Sequence, residues 1–97
     1  MITYVVLVNF TDQGIRNAKD TVKRMEALKE MAKKFGVTIK EFFWTQGQYD
    51  IVTITEAPDE VSGTALNMSL CALGNVRTQT LRAFSADEMK QIIAKML

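Results

Sequence analysis

Thr45-Gln46-Gly47-Gln48-Tyr49-Asp50-Ile51-Val52 is the stretch whose reading decides the fold of this chain. One apolar run, Ile39–Thr45, ends here and a second, Gln48–Thr55, begins. Both runs are rich in β-branched and aromatic residues, and the glycine between them supplies the positive φ that tight hairpin turns require. The stretch predicts a β-hairpin with its tip at Gln46-Gly47, and Gly47 as a structural turn residue.

Outward from the hairpin, the two strands differ in character. Gln48–Glu56 keeps Ile51, Val52 and Ile54 with only threonines between them, which suits the interior of a sheet. Val37–Thr45 carries Lys40 and Glu41 in its middle, which an edge strand uses to discourage pairing with foreign chains. Ile2–Phe10 is nearly continuous apolar sequence and predicts a central strand buried on both faces. A polar turn at Thr11–Gly14 follows it. Ile15, Ala18, Val22, Met25, Leu28, Ala32 and Phe35 then recur at steps of three and four, predicting one long helix closed by Gly36.

Beyond the hairpin, Pro58 to about Leu73 reads as a second helix, with Pro58 in its first turn and Asp59-Glu60 favouring the positive end of its dipole. Its apolar positions are Val61, Ala65, Leu66, Met68, Leu70, Ala72 and Leu73, with Gly63 allowing close approach to the sheet. Gly74-Asn75 stops it, and Gly74 is the second structural turn residue. Val76–Phe84, marked by Arg77, Gln79 and Arg82, reads as the other edge strand. Ser85-Ala86-Asp87-Glu88 forms a capping box that opens a last helix, with Met89, Ile92, Ile93, Met96 and Leu97 on one side.

The order βαββαβ plus a helix predicts a ferredoxin-like α+β sandwich. Right-handed crossovers give an antiparallel sheet ordered 4-1-3-2 with two helices on one face. The separate assignment of strands one and three as central agrees with that order.

Composition bounds the function. The 97 residues suffice for one domain, 1–97, and leave no room for a linker. Twelve basic against eleven acidic side chains leave a net charge of +1, and that argues against a nucleic-acid partner. Lys33-Lys34 is accounted for by the dipole at a helix C-terminus. A single cysteine, Cys71, cannot close an intramolecular disulfide. No signal peptide and no span of about twenty apolar residues is present, so the expected setting is cytoplasmic, away from a membrane. The chain has no histidine, the commonest general base and metal ligand, and no metal site or cofactor is expected.

Gly47-Gln48-Tyr49-Asp50-Ile51-Val52, the run Gly74-Asn75-Val76-Arg77-Thr78 followed by Thr80-Leu81-Arg82-Ala83-Phe84, and the opening Phe10-Thr11-Asp12-Gln13-Gly14-Ile15 together resemble the GYD-domain family, whose Gly-x-Tyr-Asp signature is present at 47–50. The resemblance covers almost the whole chain. It implies the dimeric α/β-barrel type of ferredoxin-like fold and supplies no catalytic residues.

Asp50, Tyr4 and Arg82 are expected at one end of the sheet, where a carboxylate held by an arginine beside a phenol would orient a small polar ligand or accept a proton. The plainer expectation is that Asp50 accepts backbone or Arg82 hydrogen bonds and pins the hairpin register. Arg77 is expected at the opposite end in an ion pair with Glu56. Tyr49 and Trp44 flank the turn and could stack on a planar ligand, but aromatics beside a hairpin more often form cross-strand pairs or interface anchors, and packing is the favoured reading. Cys71 reads as a buried inert thiol. The ligand-binding candidates are thus Tyr4, Tyr49, Asp50 and Arg82.

Two functions compete, the first favoured by the absence of histidine, and a third reading, a purely structural oligomer subunit, would fit if no polar pocket exists. One is a small-molecule-binding or assembly module, a homo-oligomer with a cavity between facing sheets. The other is a cofactor-free enzyme, a small oxygenase or isomerase, which would need Asp50, a glutamate or a tyrosine for acid–base work. The first and third strands are apolar on both faces while both crossover helices cover only one, so a two-fold homodimer with sheets face to face is expected, the last helix contributing to the contact. Val6→Asp or Val8→Asp should dissociate or unfold it if those side chains face the partner.

Overall fold

A computed structural model of the chain describes all of residues 1–97. Four strands, β1 (Ile2–Phe10), β2 (Thr38–Trp44), β3 (Ile51–Ala57) and β4 (Val76–Ala83), form one antiparallel sheet ordered β2-β3-β1-β4. The helices are α1 (Asp12–Arg16), α2 (Thr21–Lys34), α3 (Glu60–Ala72) and α4 (Ala86–Ala94). The fold class, the sheet order and the division into central and edge strands are as expected.

Three boundaries differ for physical reasons. The hairpin tip is a six-residue loop, Thr45–Asp50, because Trp44 pairs with Ile51 and Thr45 N donates to Asp50 O at 2.8 Å. Gly47 has a φ of +110° at the head of that loop. The predicted single helix over 15–35 is broken by a 3-10 turn at Ala18–Asp20. The apolar spacing runs through this break, so the stripe is not one continuous face: Ile15 before it and Val22 after it are both exposed. Pro58 lies outside α3, whose N-cap is Asp59, its side chain accepting from Ser62 N at 2.7 Å. That hydrogen bond holds the Asp59 carboxyl below its ordinary value.

The cross-strand register assigns the faces. Tyr4, Val6, Val8 and Phe10 of β1 point towards α2 and α3, together with Ile51, Thr53, Thr55 and Ala57 of β3. Leu28, Ala32, Val37, Ala57 and Leu66 form one buried cluster, and Val8, Ile51 and Val76 a second. Gly63 brings α3 closest to the sheet, where an added Cβ would sit 3.2 Å from the Tyr4 ring. The helices stand apart elsewhere. A trough of about 350 Å³ runs between them along β1, and no large side chain is fully buried.

Candidate functional site

The far end of β1 is where the chain invests its polar contacts. Asp50 N donates to Val8 O at 2.9 Å, and Asp50 Oδ2 accepts from Phe10 N at 2.8 Å. One aspartate thereby extends the β1–β3 ladder beyond the first residue of β3, since its carboxylate takes the amide that the turning backbone no longer reaches. Thr11 Oγ1 accepts from Gly14 N, capping α1, and donates to Gly74 O at 2.6 Å. Thr11 N donates to Asn75 O, and Gln13 Nε2 donates to Asn75 Oδ1 and Leu73 O. Gly14 lies so close to this loop that a Cβ there would be 1.9 Å from Asn75 O. Gly74 holds the loop's tight bend with a φ of +88°. Phe10–Gly14, Asp50 and Gly74-Asn75 therefore meet at one place.

Arg24 joins the same cluster from α2. Its Nη1 donates to Asn17 O at 2.8 Å and its Nη2 to Gly14 O at 3.2 Å, carbonyls at the break that follows α1. Its guanidinium lies 5.9 Å from the centroid of the Phe10 ring. Sequence reasoning missed Arg24 because a charged residue flanking an apolar stripe reads as solvated. Its place on the Thr21–Arg24–Leu28–Met31 row was the available signal.

Arg82 and Tyr4 are at the opposite end of the sheet from Asp50, correcting the expected triad. β3 runs antiparallel to β1, so its start lies beside Val8, whereas Arg82 is in register with Tyr4. Arg82 Nη2 instead donates to Glu88 Oε2 at 3.1 Å, Nη1 donates to Thr3 O and Ala83 O, and the guanidinium stacks 4.4 Å from the centre of Phe84. Glu88 also accepts from Ser85 N, completing the capping box of α4. Its carboxyl is held below its ordinary 4.5, first by the Ser85 amide and then by Arg82. The expected Arg77–Glu56 pair is absent for the same topological reason: Arg77 faces Asn9, while Glu56 pairs with Lys40 at 3.2 Å.

Tyr49 and Trp44 part company at the loop. Trp44 Nε1 donates to Thr21 Oγ1 at the start of α2, and its ring meets Phe42 edge-on at 5.0 Å. Tyr49 crosses the other face, its hydroxyl donating to Gln79 Oε1 on β4 at 2.9 Å. That face has no helix over it. Val5, Leu7, Val52, Ile54, Phe43 and Leu81 share it by register, with Phe43 55% and Leu81 41% exposed. Four strands of about seven residues span about 19 by 23 Å. Val6 and Val8, by contrast, point into the helical side.

α4 does not fold back on this face. It makes no extensive contact with any other element, and the molecule is drawn out to 50 Å along one axis against 31 and 19 Å. Met89, Ile92, Ile93 and Met96 are all exposed. Cys71 is half-buried, with Sγ 3.5 Å from Thr78 Oγ1.

A family model described as "GYD domain" matches residues 4–93. The chain belongs to the GYD-domain family. It is 32% identical over 93 residues to the "Glutamine synthetase and cystathionine beta-lyase binding protein" of Thermus thermophilus, covering 92% of this chain and 95% of that one. The crystal structure of TTHA0845, also from Thermus thermophilus, superposes with a TM-score of 0.57 at 27% identity, covering 89% of this chain and 96% of the other. This GYD domain has no group of three or more acidic or cysteine side chains placed to hold a metal ion, and no helix long and apolar enough to cross a membrane.

Proposed function

We propose that this GYD domain is an assembly module of the cytoplasm: a two-fold homodimer with open sheet faces packed together, α4 of each protomer lying against the other, which acts by binding further proteins. The observation that carries this reading is the uncovered apolar face. Its central residues, Val5, Leu7, Val52 and Ile54, belong to the two interior strands, and an apolar centre rimmed by Glu41, Glu56, Arg77 and Gln79 is the pattern of a protein–protein contact. The projecting α4 supports it, because a helix with three large exposed apolar side chains, Met89, Ile92 and Ile93, gains from burial that its own domain does not offer. The protein-binding name of the Thermus relative supports a role in recruiting other proteins, metabolic enzymes among them. Tyr49, lying over the open face against Gln79, would line the space between the two sheets.

Sedimentation equilibrium at low micromolar concentration tests the dimer. The mass expected is twice 10.9 kDa, and Leu7→Asp should reduce it to one chain. A well-folded wild-type monomer would overturn the reading. Titration with purified glutamine synthetase and cystathionine β-lyase tests recruitment: a faster boundary containing both proteins supports it, and none with either enzyme limits the module to self-association.

A further inference from the structure

We infer that the trough between α2, α3 and the sheet binds a small amphiphilic monocarboxylate, its apolar body along β1 and its carboxylate on Arg24. This site is on the covered side of the sheet and is independent of the dimer face.

The shape comes first. Tyr4 and Phe10 line opposite ends of the trough, about 20 Å apart along an extended strand. α3 closes the Tyr4 end at Gly63. The volume of about 350 Å³ lies at the lower end of small-molecule pockets, roughly 300–1,000 Å³. At about 30 Å³ per water-sized group it holds on the order of a dozen heavy atoms. Sixteen of the 25 lining residues are hydrophobic, so the occupant is mostly apolar.

The charge decides the class. Arg24 is the one charged residue among those lining the trough, and no carboxylate of the chain lies within 4.0 Å of it. Half-burying a cation beside apolar surface without a counter-charge is unfavourable, and an anionic ligand removes that cost. Two of the five guanidinium N–H groups are engaged by Gly14 O and Asn17 O, which fix the plane of the group and leave donors for one carboxylate. With no second cation in the lining, a phosphate dianion or a dicarboxylate would bring more negative charge than the site balances. The neighbouring Thr21 and Asn75 add neutral polar groups at the same end.

Calorimetric titration of the full chain with octanoate and with 1-octanol, which share a body and differ in charge, tests the assignment. One octanoate per chain is expected, bound at least tenfold more tightly than octanol. Arg24→Gln should bring octanoate down to the octanol level while octanol still binds, which shows the trough intact. Val6→Trp, which fills the trough from the central strand, should abolish both. If Arg24→Gln does not fold, the wild-type ratio alone decides. Equal affinity for the two probes, no binding of octanoate, or unchanged binding in Val6→Trp would each overturn the inference. Binding that emerges only in Ile92→Asp would assign the trough to the α4 arm of a second copy and would equally overturn it.

Discussion

The two ends of β1 make a sharp contrast. At the Phe10 end, Asp50, Thr11, Gln13, Gly14, Gly74, Asn75 and Arg24 close on one another through side-chain hydrogen bonds, most of them to backbone, linking four separate parts of the chain. At the Tyr4 end, Arg82, Thr3, Phe84 and Glu88 guide the chain away from the sheet into α4. One end locks the domain together and the other launches an arm. The lesson is that the two signature residues part: Asp50 is tied to the backbone of the locking end, whereas Tyr49 lies over the open apolar face against Gln79.

The contrast breaks most readily at Gly14. An alanine there meets backbone 1.9 Å away and forces α1 or the Gly74-Asn75 loop to move. Gly14→Ala should cost about 3 kcal/mol in urea unfolding. Gly47→Ala, in open space at positive φ, should cost only about 1–2 kcal/mol. Asp50→Ala leaves the Phe10 amide without its partner and should cost about 1–3 kcal/mol, most of it recovered by Asp50→Asn, whose side-chain carbonyl still accepts. Because Asp50 and Arg82 sit at opposite ends, a double-mutant cycle between them should give a coupling within about 0.5 kcal/mol of zero, and a larger value would refute the separation of the two ends.

The smallest effect expected is on α4. Glu88 has a folded value held below 4.5, so its contribution is complete above that pH and is lost as pH falls through the lowered value. Hydrogen exchange of the α4 amides should be unchanged between about pH 7 and 5 after correction for intrinsic rates, and should accelerate as the pH falls below the ordinary 4.5 and through the lowered value. Glu88→Gln should show the loosened helix already at pH 7.

Apolar parity made the sheet readable from sequence: Val5 and Leu7 are as apolar as Val6 and Val8, a pattern that suits a strand flanked on both sides, and that placed β1 at the centre although its Val5–Leu7 face has no helix over it. The capping box at Ser85–Glu88 fixed where α4 starts. It could not fix where α4 points, because direction depends on Arg82 reaching Glu88 and Thr3 from another element. The break at Ala18–Asp20 was hidden because Ile15, Ala18 and Val22 keep a helical spacing across it. Asp50 was foreseen as accepting a backbone or Arg82 hydrogen bond that pins the hairpin, and it accepts from the Phe10 amide of β1; which of the two it would be was not legible, because a main-chain donor leaves no mark in the sequence.

The irregularity in β2 has a consequence for how far association can run. Its register with β3 shifts between Ile39 and Glu41, placing Lys40 at the bulge with its ammonium on Glu56. A foreign strand arriving at that edge would find its ladder interrupted midway and a charge at the interruption. Edge-to-edge growth has no natural end, whereas pairing through a face is satisfied after two copies. The bulge thus acts as a chain terminator, letting the molecule keep a broad oily face while closing a route to fibres.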